Sequence, residues 1–317
     1  MPKVALVPGD CPEILAPVLE LVGKAGADVA WEEAPKGLGS IEMIRKHKVA
    51  LVGWSKGNRD QGELPPGVQL RQALGTFAQH RPLRSYPGLP SRFSGVDVLI
   101  VRETTEDVYA HLEHESIPGV FESLKVTTKV ACERIARHAF TLARETGRKK
   151  VTIVHKANIL KASDGMFLRV ARDVGAQFPD IVTEDVIVDA LCMKLVLDPG
   201  RFDVLVSGNM YGDIVADIGC GLVGGPSNAP AINVAEDGTA VFTSAHGDGP
   251  ELAGTDRVNP LHWLIPAVHL LRHVGAKDAS ERLDRALRSA LEDRVKPIAI
   301  GGSHAPAAFC AEVAEHL

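Results

Sequence analysis

The 317-residue sequence has no long hydrophobic run. Its apolar stretches, such as residues 98–101, are far too short to span a bilayer, and the longer stretch 261–271 is interrupted by His262, Pro266 and His269. The first ten residues, MPKVALVPGD, lack the charged and then apolar layout of a secretory signal peptide and are typical of a strand. We therefore expect no membrane association and a cytoplasmic location.

Cysteine is scarce, and an excess of positive charge is missing. The five cysteines are odd in number, widely separated and form no CxxC pair, which is typical of buried thiols in a reducing cytoplasm. The 35 Lys and Arg residues are scattered and outnumbered by 40 Asp and Glu, so the sequence shows no electrostatic footprint for nucleic acid. The one GxGxxG match, GCGLVG at residues 219–224, does not directly follow a predicted strand, and GxxxxGK[ST] does not occur, so the standard dinucleotide (Rossmann) and P-loop signatures are absent.

The composition that remains is that of a globular protein with enough residues for two lobes. Short apolar strands alternate with amphipathic helices, which predicts an α/β fold with a mostly parallel, helix-flanked sheet. Strands are predicted at 3–7, 28–33, 49–53, 80–84, 96–102, 150–155, 185–188 and 241–243. Helices are predicted at 13–25, 68–79, 131–146, 163–175, 190–197, 261–274 and 280–295. Residues 53–67 are predicted to form a surface loop, and residues 110–128 a projecting hairpin or arm.

The stretch 203–217, DVLVSGNMYGDIVAD, concentrates the polar residues of interest. An apolar strand ends in a small polar turn, and Asp213 and Asp217 follow four residues apart on the predicted helix, which places both on one helical face. Asp189 stands at another strand-to-helix junction. Three such carboxylates would suit Mg²⁺ or Mn²⁺, whereas the pair alone is equally consistent with a solvated acidic helix start.

Other residues have both a structural and a chemical interpretation. Arg71, Arg81 and Arg102 could bind anions, or could form structural ion pairs. Lys156 follows a strand, and a lysine near a metal can serve as a base, although Lys156 alone is also consistent with a surface residue and Tyr109 with a core residue. The loop that begins at His246-Gly247 lets backbone approach a ligand, although turn formation explains it equally well.

Four segments together resemble the isocitrate and 3-isopropylmalate dehydrogenase family, the β-decarboxylating dehydrogenases. They are VRETTEDVYAHLEH, VTIVHKANILKASDGMF, NMYGDIVADI and HGDGPELAGTDRVNP. The middle of the chain, with PGVFESLKVTT, is most similar to the NAD-dependent isocitrate dehydrogenases. The resemblance implies a two-domain α/β/α fold, with a cofactor-side domain of residues 1–75 and 226–317. Residues 76–225 would form a smaller domain with the metal site, the dimer interface and a clasp arm at about 109–128.

The resemblance also implies roles for individual residues. Metal ligands would be Asp213, Asp217 and, from the partner subunit, Asp189. Arg71, Arg81 and Arg102 would bind substrate carboxylates. Tyr109 would protonate the enol formed on decarboxylation, and Lys156, also from the partner subunit, would help to deprotonate the substrate hydroxyl. Cofactor contacts would come from Asn158, His246, Gly247, Glu251, Leu252 and Asn259. The active unit would then be a homodimer with shared active sites.

These implications lead to two functional hypotheses. The first is a Mg²⁺- or Mn²⁺-dependent oxidative decarboxylase of an isocitrate-like 2-hydroxy acid that reduces NAD, since an acid at Glu251 would repel the 2′-phosphate of NADP. Isopropylmalate, homoisocitrate and tartrate are alternative substrates. The second is a catalytically impaired family member that binds a protein partner in a regulatory or scaffolding role. It is favoured by three departures from the family pattern: the short loop GDCPE, Asp248 in the cofactor loop, and Pro65 and Gly67 where isocitrate enzymes carry Ser-x-Asn.

Overall fold

The computed structural model describes residues 1–57 and 63–317. The strands are β1 Lys3–Val7, β2 Ala30–Glu33, β3 Val49–Val52, β4 Thr76–Arg84, β5 Asp97–Glu103, β6 Glu113–Ile117, β7 Val120–Ser123, β8 Lys150–His155, β9 Val182–Ile187, β10 Val204–Ser207, β11 Pro230–Ala235 and β12 Ala240–Ser244. The α-helices are α1 Leu15–Lys24, α2 Ile41–His47, α3 Pro66–Leu74, α4 Lys129–Glu145, α5 Ser163–Gly175, α6 Val188–Leu197, α7 Asn209–Leu222, α8 Leu261–His273, α9 Lys277–Glu292 and α10 Pro306–Ala314.

The chain divides into two compact units. The first comprises Met1–Gly75, Arg84–Ser94 and Val223–Leu317, and the second Thr76–Leu83 and Gly95–Leu222. The sequence-based boundaries place residues 84–94 in the second domain, whereas in the structure they pack on α9 of the first unit. Tyr86 Oη donates to Asp284 Oδ1 at 3.1 Å, and the Arg288 guanidinium lies 4.4 Å from the Tyr86 ring centroid.

The first unit is a three-layer α/β/α arrangement. Its strands lie in the order β2-β1-β3-β12-β11, with parallel pairs except for the antiparallel pair β11–β12. Alternate residues of β1 point to opposite faces, so Val4 and Leu6 join one apolar cluster and Ala5 and Val7 another. Helices α1, α8, α9 and α10 cover the first face, and α2 and α3 the second.

The second unit repeats this layering. Its strands lie in the order β4-β5-β10-β8-β9, and the pairs β5–β10, β10–β8 and β8–β9 are parallel. Apolar residues of β5, β8 and β10 pack under α4 and α5 in one core cluster. Helices α6 and α7 follow β9 and β10 directly, so the polar residues at these junctions lie at the carboxyl ends of parallel strands. The predicted α/β fold with a mostly parallel sheet is confirmed.

Several local predictions need correction. The helix predicted at 68–79 ends at Leu74, because Gly75 adopts a left-handed conformation (φ 63°) and Thr76 begins β4. The predicted loop 53–67 ends earlier, at the start of α3, and its residues 58–62 lie outside the described part. Strand β11 and helices α2 and α10 were not predicted.

The predicted arm and four of the five predicted buried thiols are confirmed. The arm contains the antiparallel hairpin β6–β7, whose residues are all exposed. Cys11, Cys132, Cys220 and Cys310 are buried free thiols, and Cys192 is half-buried. No helix in the described ranges is long and apolar enough to cross a membrane.

Candidate active site

The site is built around the N-terminal half of α7, which begins two residues after β10 ends. Asp213 and Asp217 stand one turn apart on this helix, as their spacing predicts, and their side chains are 36% and 56% exposed. Both carboxylates therefore reach the surface of the second unit, where a ligand can contact them. Each is also held by a buried arginine, so the pair is not a freely solvated helix start.

Arg102, at the carboxyl end of β5, is the most constrained of these groups. Its side chain is only 2% exposed, and it donates through Nη1 to Asp213 Oδ1 and through Nε and Nη2 to Asn209 Oδ1 at 3.0 and 2.7 Å. Gln79 Oε1 accepts a further bond at 3.3 Å. Burial lowers the pKa of Arg102, and the Asp213 carboxylate opposes that shift. Gly212 permits this packing, since a Cβ there would lie 2.7 Å from Arg102 Cγ.

Arg81, on the neighbouring strand β4, reaches the second acid. Its Nη2 donates to Asp217 Oδ1 at 3.4 Å and to Cys220 Sγ at 3.0 Å. The Arg81 Nε atom is buried and has no hydrogen-bond partner among the described residues. A buried guanidinium N–H without an acceptor is costly, and a substrate carboxylate would satisfy it.

Tyr109 lies in a short 3₁₀ turn, Val108–Ala110, that follows β5. Its Oη donates to Asp213 Oδ2, and the Arg102 guanidinium lies 5.1 Å from the centre of its ring. The structure therefore brings Tyr109, Arg102 and Asp213 into one hydrogen-bonded cluster. This cluster combines a hydroxyl proton donor, a cation and a carboxylate within reach of one small ligand.

Lys156 and Asp189 form a second pair in the same unit. Lys156 directly follows β8, and its Nζ donates to Asp189 Oδ1 at the start of α6. This hydrogen bond lowers the pKa of the Asp189 carboxyl group. Within residues 1–57 and 63–317, no three His, Cys, Asp or Glu side chains converge as a metal site. The structure thus shows two separate pairs of candidate residues, Asp213–Asp217 and Lys156–Asp189.

The donor set nevertheless fits a divalent cation. Carboxylate oxygens are the ligands that Mg²⁺ and Mn²⁺ prefer, and Asp213 and Asp217 offer them from adjacent turns of a rigid helix. Mg²⁺ is commonly held by one or two carboxylates together with water and substrate oxygens. The supply of a third carboxylate, Asp189, by a partner subunit stays a prediction.

The predicted cofactor residues are divided between the units. Asn158 is an exposed residue shortly after β8 of the second unit. Arg71, which was predicted to bind a substrate carboxylate rather than the cofactor, lies on α3 of the first unit. The other five predicted cofactor residues, His246, Gly247, Glu251, Leu252 and Asn259, lie in the loop between β12 and α8. Gly247 packs closely on Trp54, since a Cβ there would lie 2.2 Å from Trp54 Cβ.

Several hydrogen bonds that the sequence did not reveal hold the loop of residues 245–260, called the cofactor loop for its predicted role. Asp248 Oδ2 accepts from the Asn259 N–H at 2.7 Å and lies 3.2 Å from His262 Nδ1. The Glu13 carboxylate accepts from the Gly254 N–H at 2.6 Å, and the Cys11 thiol donates to the Gly249 carbonyl at 3.5 Å. The shortened GDCPE loop thus contacts the cofactor loop directly.

Sequence reasoning also missed Gln79 and Cys220, which contact the arginines from β4 and α7. Their positions carry no motif, and no sequence signal pointed to Gln79, which was predicted to end a helix but lies in β4 and is 3% exposed. Asn209 was recognised as part of a polar turn, but not as the acceptor that fixes Arg102.

Comparison with known proteins gives consistent matches across the chain. A family model described as isocitrate/isopropylmalate dehydrogenase matches residues 20–317. Catalytic subunit 5 of the mitochondrial NAD isocitrate dehydrogenase of Arabidopsis thaliana is 37% identical over 98% of this chain and 87% of its own length. One regulatory subunit of the mitochondrial NAD isocitrate dehydrogenase of Dictyostelium discoideum is 38% identical over 99% of this chain and 90% of its own.

A solved structure agrees with these relatives. The crystal structure of isocitrate dehydrogenase from Methylococcus capsulatus superimposes with a TM-score of 0.90 and 35% identity, covering 100% of this chain and 99% of that one. The similarity therefore extends over both compact units.

Proposed function

The chain belongs to the isocitrate/isopropylmalate dehydrogenase family, and from this premise we propose that it is a metal-dependent enzyme that oxidatively decarboxylates a 2-hydroxy acid with a β-carboxylate and reduces NAD. Isocitrate is the first candidate substrate. The observation that carries the proposal is the cluster in which Tyr109 and Arg102 both donate to Asp213. It combines an anion-binding group, a metal-binding group and a proton donor.

Buried arginines would hold the substrate. Arg102 and Arg81 are anchored by Asn209 and Cys220, so their guanidinium groups are oriented before a ligand arrives. The Arg81 Nε has an unused donor for a carboxylate. Arg71 on α3 is proposed as a third carboxylate-binding residue.

A divalent metal would be held by Asp213, Asp217 and the partner subunit's Asp189. When bound, Mg²⁺ or Mn²⁺ supplies a Lewis acid that polarises the substrate oxygen and stabilises negative charge on it. Lys156 of the partner subunit would help to remove the proton of the substrate hydroxyl. NAD, if bound, would supply the acceptor for the hydride from the carbon that carries this hydroxyl. The β-carboxylate would then leave as CO₂, the electron pair of the broken C–C bond would form the C=C bond of an enolate, and Tyr109 would protonate this enolate at carbon.

Two further features support NAD and a dimer. Glu251 places an exposed carboxylate in the loop between β12 and α8, where a negative charge would disfavour the 2′-phosphate of NADP. Lys56 Nζ, 3.5 Å from Glu251 Oε2, offsets part of this charge. A homodimer would join the Asp213–Asp217 and Lys156–Asp189 pairs across subunits. Its interface is proposed to include the exposed apolar side chains Met193, Val196 and Leu197 of α6 and Ile214 of α7.

The second hypothesis, a binding or regulatory protein, has two observations in its favour. The Dictyostelium relative is named as regulatory, yet it is as similar to this chain as the catalytic relative from Arabidopsis is. Pro65, just before α3, and Gly67, in its first turn, also provide no side-chain hydrogen-bond donor. Both relatives are named mitochondrial, and the cytoplasmic location stays a prediction for this chain.

A substrate screen distinguishes the two hypotheses. Purified protein with Mn²⁺ and NAD is assayed for NADH formation on isocitrate, isopropylmalate, homoisocitrate, tartrate and malate, and NAD binding is measured by calorimetry. Turnover of one hydroxy acid, lost in Asp213→Asn together with Mn²⁺ affinity, is the expected result. No turnover on any acid, with no NAD binding, would contradict the enzymatic proposal. Sedimentation as a monomer at micromolar concentration would contradict the shared-site dimer.

A further inference from the structure

Asp107 has a backbone conformation that side-chain-bearing residues rarely adopt. Its φ is 75° and its ψ is −153°, in a region populated almost entirely by glycine. The residue is also 2% exposed, although it carries a carboxylate. A strained and buried acid persists only where its surroundings hold it in place, and such residues cluster at functional sites.

The Asp107 carboxylate joins two segments of the site. One oxygen, Oδ1, accepts the Val108 N–H at 2.9 Å and caps the 3₁₀ turn that carries Tyr109. The other, Oδ2, accepts the Met210 N–H at 3.1 Å, in the first turn of the helix that carries Asp213. A negative charge at this position also suits the N-terminal end of α7. The same side chain therefore fixes the proton donor and the metal-binding helix.

Neighbouring contacts secure the arrangement. The Asp107 N–H donates to the Val126 carbonyl at 3.0 Å, and Asn209 Nδ2 donates to the Glu106 carbonyl at 3.0 Å. Lys125 Nζ lies 3.7 Å from Asp107 Oδ2 and 3.1 Å from Asp164 Oδ1, so the buried charge has a cationic neighbour. Both carboxylate oxygens and the backbone N–H of Asp107 are thus engaged in contacts within the second unit.

We propose that Asp107 is a positioning residue, which holds the Tyr109 hydroxyl at Asp213 by bridging the Tyr109 turn to the first turn of α7. The role of Tyr109 as proton donor rests on the proposed function. The bridge itself rests on the hydrogen bonds from the Val108 and Met210 N–H groups. Loss of the bridge lets the phenol move relative to the reacting carbon, while Arg81 and Arg102 still bind the substrate. The protonation step is then slowed and substrate affinity is retained.

Two variants of Asp107 separate the bridge from other effects. Asp107→Asn keeps one oxygen for the Val108 N–H but presents an amide NH₂ to Met210, so the local cap survives and the bridge is lost. Asp107→Gly removes both bonds but suits the positive φ, so it is expected to fold even if the asparagine variant does not. The matched control is Asp203→Asn at the opposite end of β10. The Asp203 carboxylate likewise accepts backbone N–H bonds from another segment, Lys149 and Lys150, but does not contact the Tyr109 turn.

The first readout is amide hydrogen exchange, which needs no activity. Exchange in residues 106–111 and 209–213 should accelerate in Asp107→Asn and in Asp107→Gly, and stay at the wild-type rate in Asp203→Asn. The second is kinetic, on the hydroxy acid that the wild type turns over. The kcat of both Asp107 variants should fall by about 10- to 100-fold, as a displacement of about 1 Å from the productive geometry would cause, with the substrate KM within about threefold of wild type. Exchange of the hydrogens on the newly protonated carbon of the oxo-acid product with D₂O should fall in parallel.

The results that would refute the positioning role of Asp107 differ from those that would refute the proposed enzymatic function. Wild-type exchange rates at 106–111 in both Asp107 variants, or a kcat equal to that of Asp203→Asn, would refute the positioning role. A wild-type protein without turnover would instead refute the proposed function, and hydrogen exchange alone would then decide whether Asp107 forms the bridge.

Discussion

Replacing Gly212 by alanine tests how tightly α7 packs on Arg102. The new Cβ would lie 2.7 Å from Arg102 Cγ and 2.9 Å from its Cβ, whereas carbon atoms in contact prefer about 3.5–4.0 Å. The arginine cannot move aside easily, because Asn209 holds its guanidinium and its side chain is 2% exposed. Overpacking of this kind costs about 1–3 kcal/mol. Alanine in place of glycine gains about 1 kcal/mol of helix propensity, so the net loss of stability is about 0–2 kcal/mol.

Gly221, on the same helix, provides the matched control. A Cβ at this position meets nothing within 4 Å, so Gly221→Ala should gain up to about 1 kcal/mol from helix propensity alone. Urea unfolding followed by circular dichroism would compare the two variants at constant m-value, and the difference expected is about 1–3 kcal/mol. If Gly212→Ala proves as stable as Gly221→Ala, the packing argument is refuted. Gly212→Ala should also raise the KM for the hydroxy acid more than the KM for NAD, because Arg102 is displaced.

Three further predictions concern single groups. Arg81→Met should raise the KM for the hydroxy acid by at least about tenfold, the effect of losing a charge-assisted bond, and an unchanged KM in steady-state assays would remove Arg81 from substrate binding. Lys156→Met should lower kcat with no measurable change in melting temperature, since its partner Asp189 is exposed, and a large thermal shift would indicate a structural role instead. Burial lowers the pKa of His138 to about 4, below its ordinary 6.5, so the unfolded chain binds a proton between these values and the folded chain does not. Its contribution to stability is present above pH 6.5 and lost as the pH falls toward 4, and His138→Gln should show a shallower fall in urea midpoint between pH 7 and 5 than wild type.

The sequence predicted those parts of the site that depend on local spacing. Asp213 and Asp217 share a helical face because they are four residues apart, and Asp189 stands at a strand end because the apolar run before it stops there. The predicted helix 68–79 ran past Gly75, although glycine there is a common helix-ending signal. The strand that follows is stabilised by its neighbour β5, which is distant in sequence, and local propensity does not reveal such pairing.

The contacts that orient the candidate groups could not be predicted in this way. Asn209 accepts from Arg102 across 107 residues of sequence, and Asp107 accepts from Met210 across 103. Such pairs depend on the order of strands in the sheet, which places the ends of β5 and β10 side by side. The unusual φ of Asp107 is also invisible in the sequence, since aspartate normally avoids this region.

The division of the chain has a consequence for synthesis. The second unit is almost continuous, from Thr76 to Leu222 apart from one excursion, whereas the first needs both the N-terminal 75 residues and the segment after Val223. During translation, every residue of the second unit therefore emerges from the ribosome before β11, β12 and α8, which complete the first unit, have been synthesised. We expect the second unit to acquire protease resistance on nascent chains stalled well before the C-terminus, while the N-terminal strands stay cleavable until α8 and α9 have emerged. The second unit would then become protease-resistant before the first, although the first unit begins earlier in the chain.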